Sequence, residues 1–333
     1  MEKITLKQIA KELKLSTSTI SRAISDDYQI SKLTKEKILA HVSVRGYRVN
    51  RFAKALRQGK TMTIGVVICS LDNAFMVQVI NGISECCKEM GYQLLIMQSR
   101  GSFEEEKNCL SMLVDSRVDG ILISPSFNTT DLTYLVALQE KGIPIVLFDR
   151  INEQLKTHQV AVDNFNGGVL AATNLTNKGF DNFLVLSCQN DIFLSKERLK
   201  GFLKTLNRLD IPEENCVTEN CDQTSTLQLE GQLEGIFKKI FKGDSKVEAI
   251  FATTDSLTIT ALKVLKKLSL EVPIVGFCNS DLAGILIGKL TTIVQPAQEL
   301  GMLACHQLIS IFGGNEVLKY QTMYLPTRVV EKI

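Results

Sequence analysis

Several signatures of common protein classes are missing from this chain of 333 residues. No apolar run approaches the roughly 18 residues that a membrane-spanning helix needs, so we expect no contact with a membrane. The N-terminus carries Glu2, Lys3 and Lys7 and lacks the apolar core of a signal peptide, which predicts a cytoplasmic protein. Neither a GxGxxG loop nor a Walker A loop occurs, so we expect no nucleotide cofactor.

Histidine is scarce, and cysteine is present without the spacing of a metal site. The three histidines, His41, His158 and His306, stand in no recognisable pattern for a nucleophile or a metal. Nine cysteines occur, but none forms a CxxC pair. In a reducing compartment, such cysteines act as small buried apolar residues. The sequence therefore predicts no metal, no disulfide framework and no enzyme, which argues against a sugar hydrolase on an α/β scaffold.

The small net charge of +2 conceals an uneven distribution along the chain. Residues 1–60 contain 14 Lys and Arg against 5 Asp and Glu, a net charge of +9. The remaining 273 residues contain 24 basic and 31 acidic side chains, a net charge of −7. A basic N-terminal block on a mildly acidic body is typical of a nucleic-acid-binding head attached to a separate globular unit.

The apolar spacing of residues 5–46 predicts three short helices. Thr5 is a candidate N-cap of the first helix and Ser16 of the second. Thr34 is expected to begin the third helix, which Gly46 ends as a C′ glycine. The sequence then continues into a basic connector over residues 47–61, which is too short to form a stable helix alone.

The second helix combines an apolar stripe with a small, polar opposite face. Thr17 and Ser18 are short enough to let a helix enter the major groove, and Arg22 can present a forked donor to guanine. The positive charge supplies attraction to phosphate. A small helical bundle with a solvated Ser/Thr face is the alternative, but the charge, the spacing and the basic connector together favour a DNA-binding helix-turn-helix.

From Thr63 onward, apolar strands alternate with helical patterns, which is typical of parallel α/β layers. The predicted strands are Ile64–Cys69, Leu94–Met97, Gly120–Ser124, Ile145–Phe148, Phe183–Ser187, Ala249–Ala252 and Ile274–Phe277. The predicted helices lie near 74–90, 104–115, 131–141, 167–178, 196–208, 224–241, 256–268 and 297–312. This length exceeds one doubly wound sheet, so we expect two lobes with ligand beyond the carboxyl ends of the strands.

An ordered series of short segments resembles the lac repressor family of bacterial transcription regulators over essentially the whole chain. In the head, the resemblance rests on Thr5-Leu6-Lys7-Gln8-Ile9-Ala10, Leu15-Ser16-Thr17-Ser18-Thr19-Ile20-Ser21-Arg22-Ala23 and Gly46-Tyr47-Arg48-Val49-Asn50. In the body, it rests on Arg117-Val118-Asp119-Gly120-Ile121, Val162-Asp163-Asn164, Arg198-Leu199-Lys200-Gly201-Phe202 and Leu290-Thr291-Thr292-Ile293-Val294-Gln295-Pro296.

The resemblance implies roles for individual residues of the head. Thr17, Ser18 and Arg22 fall on base-reading positions, and Leu56 matches a leucine that enters the minor groove from a hinge helix. The phosphate-contacting positions are Thr5, Ser16, Ser21, Ser31, Tyr47 and Asn50, and Ala53 also lies on the hinge surface that faces DNA. Two departures from the family are Lys14 in place of the usual turn glycine and Val49 in place of the usual hinge proline.

The body is similar to two-lobed periplasmic sugar-binding proteins, with a ligand in the cleft between lobes. The resemblance implies an effector site formed by Phe75, Ser126, Asp149, Arg198, Asp255 and Asn279. Many sugar- and purine-binding members have an acid where this chain has Cys278, and Asn279 is the expected partial replacement. The missing carboxylate argues against the familiar galactoside and purine effectors and eases binding of an anion such as a sugar phosphate, so the expected effector is a sugar or a sugar phosphate.

These observations predict an all-α helix-turn-helix head at 1–46, a hinge at 47–61, and a body of two doubly wound parallel-sheet lobes at 62–333. Lobe 1 is expected over about 62–160 plus 293–321, and lobe 2 over about 161–292 plus 322–333. No leucine heptads follow the body, so a homodimer is expected. The predicted function is a nucleoid-associated repressor that binds palindromic double-stranded operator DNA under control of a carbohydrate-like effector. A regulator whose effector promotes DNA binding, or a cytoplasmic sugar-binding module, are the alternatives.

Overall fold

The structure is a computed structural model that divides into two compact units, Met1–Thr61 and Met62–Ile333. It describes residues 4–47, 60–126, 129, 131–188, 193–223, 225–241, 246–280, 290–312 and 319–332. The predictions for Val49, Asn50, Ala53 and Leu56, and with them the hinge helix, lie outside the described residues.

Within residues 4–47 of the first unit, the structure has three helices: α1 (Leu6–Leu13), α2 (Thr17–Ile24) and α3 (Lys32–Val44). Ile9, Ile20 and Ile38, one from each helix, are fully buried together and provide the apolar centre that holds the helices. The predicted start of the third helix was wrong. This helix begins at Lys32 rather than Thr34, because the Ser31 side chain accepts a hydrogen bond from the Thr34 N–H and caps it.

The turn between α1 and α2 adopts the left-handed conformation that the family pattern implied. Lys14 has φ 51° and ψ 40°, which costs a non-glycine residue roughly 1 kcal/mol. Glu12 joins α1 to α3, since its carboxylate lies 2.6 Å from Nε2 of His41 and 2.7 Å from a guanidinium nitrogen of Arg45. These contacts lower the pKa of Glu12, chiefly through the hydrogen bond from Arg45.

The second unit contains two six-stranded sheets covered by helices. Its strands are β1 (Thr63–Ile68), β2 (Gln93–Gln98), β3 (Gly120–Ile123), β4 (Ile145–Phe148), β5 (Gln159–Val162), β6 (Phe183–Cys188), β7 (Cys216–Cys221), β8 (Ala249–Ala252), β9 (Ile274–Phe277), β10 (Leu290–Val294), β11 (Thr322–Leu325) and β12 (Arg328–Lys332). Its described helices are α4 (Ala74–Glu89), α5 (Phe103–Asp115), α6 (Thr133–Glu140), α7 (Asn164–Asn177), α8 (Phe193–Arg208), α9 (Thr226–Ile240), α10 (Asp255–Lys267) and α11 (Ala297–Ile311).

The strand order shows two lobes of the same construction. Lobe 1 has the order β11-β5-β4-β3-β1-β2, and lobe 2 has the order β12-β10-β9-β8-β6-β7. All pairings are parallel except that of β12 with β10. The central strands are buried throughout because helices cover both faces, as their continuous apolar runs predicted. The predicted two-lobed α/β architecture is confirmed.

The predicted assignment of residues 322–325 to lobe 2 was wrong. β11 pairs in parallel with β5, and Leu325 is buried with the apolar side chains of lobe 1. Likewise, Ile293 and Val294 belong to β10 in lobe 2. The chain therefore passes between lobes at three points, near Asp163, at residues 295–296 and at residues 326–327.

Glycines set the closest helix contacts in both lobes. A Cβ on Gly168 of α7 would lie 2.0 Å from the carbonyl oxygen of Arg198, and a Cβ on Gly201 of α8 would lie 2.0 Å from that of Phe165. In lobe 1, a Cβ on Gly82 or Gly301 would likewise lie 2.0 Å from a carbonyl oxygen of the opposing helix. The absence of side chains thus allows α7 and α8 to cross in backbone contact, and this crossing determines where Arg198 lies.

We predict that Gly168→Ala destabilises the protein by about 1–3 kcal/mol or more, because backbone must move to admit the methyl group. The control is Gly231→Ala in α9, where a Cβ meets nothing within 4 Å. That change should raise stability by about 0.5–1 kcal/mol, since alanine favours a helix. Urea unfolding measures both free energies. Equal effects of the two substitutions would contradict the close crossing.

Candidate functional site

The exposed face of α2 carries the predicted base-reading residues. Thr17, Ser18 and Arg22 are exposed, whereas Ile20 and Ala23 on the opposite face are buried in the head core. The helix thus presents short hydroxyl side chains and one guanidinium group to solvent. This geometry fits insertion into a major groove, where hydroxyl and guanidinium groups can bond to base edges.

The sequence did not indicate the role of Gln29, which contacts Arg22. Its Oε1 accepts a hydrogen bond from Nη1 of Arg22 at 3.0 Å, and its own N–H donates to Oδ1 of Asp27 at 2.9 Å. Gln29 lies seven residues beyond Arg22, in the irregular segment after α2, so no helical periodicity could reveal the pair. The contact restricts the direction of the guanidinium group in this unit.

Three of the predicted phosphate-contacting residues are N-caps. The hydroxyl groups of Thr5, Ser16 and Ser31 accept hydrogen bonds from the backbone N–H three residues later. Helix N-termini attract anions because their N–H groups and the helix dipole point outward. Ser21 and Tyr47 are half-buried, and Tyr47 packs against the apolar core of the head.

In the second unit, Arg198 of α8 is fully enclosed and held on three sides. Its Nε donates to Oδ1 of Asn164 at 2.7 Å, Nη1 donates to the Thr253 carbonyl at 2.7 Å, and Nη2 donates to Oε1 of Gln295 at 2.8 Å. The guanidinium carbon lies 3.7 Å from the centre of the Phe277 ring. Burial lowers the pKa of Arg198 to about 10, and nearby carboxylates partly oppose that change. The group stays protonated and fixed in direction.

Asp149 approaches this arginine from lobe 1. It directly follows β4, has φ +62°, and accepts a hydrogen bond from the Ser124 hydroxyl at 3.2 Å. Burial raises the pKa of Asp149, while the positive charges of Arg150 and Arg198 oppose the increase. Asp149 and Arg198 thus belong to different lobes and interact electrostatically, with Asp149 at the carboxyl end of its strand.

Asp255 is the second carboxylate beside Arg198. It opens α10 after β8, and burial raises its pKa against the opposing effects of the Cys278 thiol, the Asn279 N–H and Arg198. Its Oδ1 is buried and has no hydrogen-bond partner in the described part of the chain. Cys278 is fully buried beside it, where an acid would have placed a second carboxylate against Asp255.

Asn279 lies in the same region, but its side chain is engaged by the protein. Its Nδ2 donates to Oε1 of Gln78 and to the Gln295 carbonyl, both at 2.8 Å. Its Oδ1 accepts from the Gln295 N–H at 3.0 Å. Both amide donors are therefore used in bonds to protein groups.

Ser126 lies on the loop after β3, and the buried carboxylate of Glu106 accepts hydrogen bonds from this loop. Glu106 of α5 is fully buried and accepts hydrogen bonds from the Ser126 N–H, the Thr129 hydroxyl at 3.0 Å and the Tyr134 hydroxyl. The Ser126 hydroxyl lies 2.9 Å from that of Ser99. Glu106 was not identified from sequence, since one glutamate in the run Glu104-Glu105-Glu106 reads as an exposed helix face.

Phe75 lies in the first turn of α4, one helical turn before Gln78. It is 7% exposed and packs within the apolar core of lobe 1. Cys188 is a further member of the polar cluster. It ends β6 and lies close to the charges of Arg150 and Arg198. Its thiol accepts a hydrogen bond from Nε2 of Gln223 at 2.6 Å. Neither Cys188 nor Gln223 belongs to a sequence pattern that could have indicated its place in this cluster.

Within the described ranges, no group of three or more His, Cys, Asp or Glu side chains could hold a metal ion. No helix in that same part of the chain is long and apolar enough to cross a membrane.

Comparison with known proteins matches both units. Residues 5–50 match the bacterial regulatory proteins of the lacI family, and residues 64–316 match the periplasmic binding protein domain. The HTH-type transcriptional repressor PurR of Photobacterium profundum is 29% identical over 309 residues, which cover 92% of this chain and 91% of that protein.

Two solved structures extend the comparison. The lac repressor dimer bound to operator and the anti-inducer ONPF has a TM-score of 0.83 at 22% identity and covers 99% of each chain. A periplasmic binding protein/LacI transcriptional regulator from Alkaliphilus metalliredigens, complexed with D-xylulofuranose, has a TM-score of 0.66 at 26% identity. That match covers 81% of this chain and 98% of the other.

We predict that Asp149→Asn raises the stability of the ligand-free protein at pH 7. The pKa of Asp149 is higher in the folded than in the unfolded state, so its contribution is favourable at low pH and is lost as pH rises through the folded pKa. The neutral amide avoids that loss, and its advantage should shrink as the pH falls toward about 4, the ordinary pKa of Asp.

Urea unfolding between pH 4 and 8 measures the difference. The control is Asp72→Asn, which changes an exposed acid of the same lobe and should leave stability unchanged at each pH. A variant less stable than the parent at pH 7 would show that the two arginines outweigh the burial of Asp149.

Proposed function

Because the chain belongs to the lacI family of bacterial regulatory proteins, with a periplasmic binding protein domain as its body, we propose that it is a dimeric cytoplasmic repressor of transcription. Its DNA binding is controlled by a small effector that enters the cleft of the body. The observation that carries the proposal is that one chain combines an exposed polar face on α2 with a buried charged cluster between two lobes.

The head supports operator recognition by charge and by geometry. Its basic excess attracts phosphate without regard to sequence, whereas Thr17, Ser18 and Arg22 are placed to distinguish bases. The relative PurR, which is similar over nearly the whole chain, is an HTH-type transcriptional repressor. A regulator, rather than a sugar-binding module without DNA binding, therefore accounts for both units.

Exposed apolar side chains on sheet edges support a homodimer. β2 is an edge strand of lobe 1, and its Leu95 and Ile96 are exposed. β7 is the corresponding edge of lobe 2, where Val217 is exposed, and Leu227 on α9 is 81% exposed. Apolar edges of this kind need covering, and a second copy covers both lobes at once. Two heads in one dimer match the two halves of a palindromic operator.

The cleft suits a polyhydroxylated effector. A guanidinium group has five N–H donors, and three of those in Arg198 are used, which leaves two for a ligand. Asp255 offers a buried carboxylate oxygen without a partner, and Arg150 offers a buried Nε–H without one within the described residues. Donors and acceptors together match sugar hydroxyl groups, and the sugar ligand of the Alkaliphilus relative is consistent with that class.

A sugar phosphate is the anionic form of the same effector class. Arg150 and Arg198 can bind a phosphate bidentately, and Cys278 adds no charge that would repel it. An effector that promotes DNA binding is the second candidate for the direction of control. Operator binding measured with and without the effector distinguishes induction from corepression.

The proposal is tested by two measurements on the full chain. Gel-shift selection over genomic fragments should recover a palindromic site, and a thermal-shift screen should identify sugars or sugar phosphates that stabilise the protein. The best ligand should then change operator affinity. A chain that binds ligand but retards no DNA would instead be the sugar-binding module.

We predict that Arg22→Ala relaxes base preference at one position in each half-site, at a cost of about 1–3 kcal/mol for the preferred base. Binding to a panel of single-base operator variants measures this effect. The control, Lys7→Ala, removes an exposed charge of α1 and should weaken binding to all sequences equally. If Arg22→Ala behaved in the same uniform way, the base-reading role would be rejected.

We predict that Arg198→Ala abolishes the response to effector while leaving effector-free operator affinity intact. At a ligand concentration 100-fold above Kd, the parent protein should gain about 2.7 kcal/mol of stability, and the variant should gain none. Arg208→Ala, at the exposed end of the same helix, is the control. A retained thermal shift in Arg198→Ala would remove this arginine from the site.

A further inference from the structure

The side chains of Gln78 and Asn279 join the two lobes beside the charged cluster. Nε2 of Gln78, on α4 in lobe 1, donates to the Asn279 carbonyl at 3.2 Å. Nδ2 of Asn279, after β9 in lobe 2, donates in return to Oε1 of Gln78 at 2.8 Å. The two residues are 201 positions apart, and Asn279 is only 6% exposed. The reciprocal pair is thus a shielded contact between lobes.

Asn279 also holds the chain where it passes from lobe 2 back to lobe 1. Its carboxamide bonds to both the N–H and the carbonyl of Gln295, in the same way that a neighbouring strand would. Gln295 directly follows β10 and lies at one of the three passages between lobes. Asn279 therefore determines the position of the Gln295 backbone.

The side chain of Gln295 carries this restraint to the cleft. Its Oε1 accepts a hydrogen bond from Nη2 of Arg198 at 2.8 Å. Arg198 in turn lies over the ring of Phe277, which is two residues before Asn279 in the chain. A continuous series of hydrogen bonds thus runs from Gln78 through Asn279 and Gln295 to Arg198.

We infer that Asn279 is a positioning residue and not an effector ligand: it orients Arg198 through Gln295 and, through Gln78, fixes the separation of the lobes. The link to an effector rests on the proposed function, whereas the hydrogen bonds of Asn279 join protein groups only. A ligand that moves Arg198 must also shift Gln295. The hydrogen bonds of Asn279 to Gln295 and Gln78 then transmit that shift to α4. Effector binding in the cleft and movement of the lobes are therefore coupled.

The geometry of the amide group explains why asparagine serves here. The restraint needs two N–H donors and one acceptor on the same side chain, and these are the groups of a carboxamide. An aspartate at 279 would keep the acceptor for the Gln295 N–H but lose both donors. It would also place a charge against the Gln295 carbonyl and beside Asp255.

The chain provides its own reporter of cleft opening. Cys188 is 9% exposed and lies close to the charges of Arg150 from lobe 1 and Arg198 from lobe 2. Opening of the lobes should therefore raise its rate of alkylation by iodoacetamide, resolved by peptide mass spectrometry. Cys86 and Cys305 are fully buried in lobe 1 and act as internal controls for unfolding.

In the full chain without added ligand, Gln78→Ala should raise the Cys188 alkylation rate at least about fivefold, because it removes two hydrogen bonds and each is worth about 1 kcal/mol. The rates of Cys86 and Cys305 should stay unchanged. The matched control is Gln298→Ala, which removes an exposed amide that bonds to Glu85 within lobe 1 at 2.8 Å. Equal Cys188 alkylation rates in Gln78→Ala, Gln298→Ala and the parent protein would show that the amide pair does not hold the lobes together.

The second measurement follows the Gln295 N–H by hydrogen exchange. Exchange should accelerate about fivefold in Asn279→Ala, which removes the acceptor, and should stay at the parent rate in Gln78→Ala. Unchanged exchange in Asn279→Ala would overturn the positioning role. If that variant does not fold, Asn279→Asp should protect the Gln295 N–H but accelerate Cys188 alkylation. Neither readout uses DNA or effector, so failure of the proposed function would leave the result intact.

Discussion

The body of this protein is organised around a guanidinium group that has been removed from water. Placing an ion in a protein interior costs several kcal/mol unless hydrogen bonds and opposite charges replace the lost hydration. Arg198 obtains that replacement from an amide, a backbone carbonyl and a second amide, with an aromatic ring beneath its plane. Each of these groups comes from a different segment of the chain. The arginine can therefore be satisfied only when lobe 2 and its connection to lobe 1 are correctly assembled.

The same requirement explains why the carboxylates lie where they do. Asp149 and Asp255 are disfavoured by burial, yet both are kept beside Arg198 at the carboxyl ends of strands. A site optimised for stability alone would use neutral side chains in such positions. Groups that are costly in the empty protein but complementary to a polar ligand are typical of a binding site, where stability is exchanged for function. Recognition in the head depends on a different principle, because its reading face is exposed and its charges remain hydrated.

Much of the fold was open to prediction because it depends on local patterns. The continuous apolar runs of the central strands and the glycines that end helices identified most elements of the body. Polar edge strands such as Cys216–Cys221 and the short β11 escaped detection, since their alternation is weak and their stability comes from pairing with distant strands. The family resemblance named Asp149, Arg198 and Asp255 as candidates, all of which are buried or half-buried in the structure, but it did not name Glu106 or Gln295. A buried polar residue looks like an exposed one in the sequence until its partners are known.

The sequence by itself determined the division between a basic head and an acidic body, the helix-turn-helix with its left-handed Lys14, and the order of the α/β layers. The charge division, the helices and the layer order follow from composition, capping and periodicity, which act over a few residues at a time. The left-handed turn at Lys14 was implied by the family resemblance. Only the tertiary structure decided that β11 belongs to lobe 1 and that Asn279 bonds to Gln78 and Gln295. The physical reason is that hydrogen-bond satisfaction in a buried site depends on groups up to 201 residues apart, and no local pattern encodes their meeting.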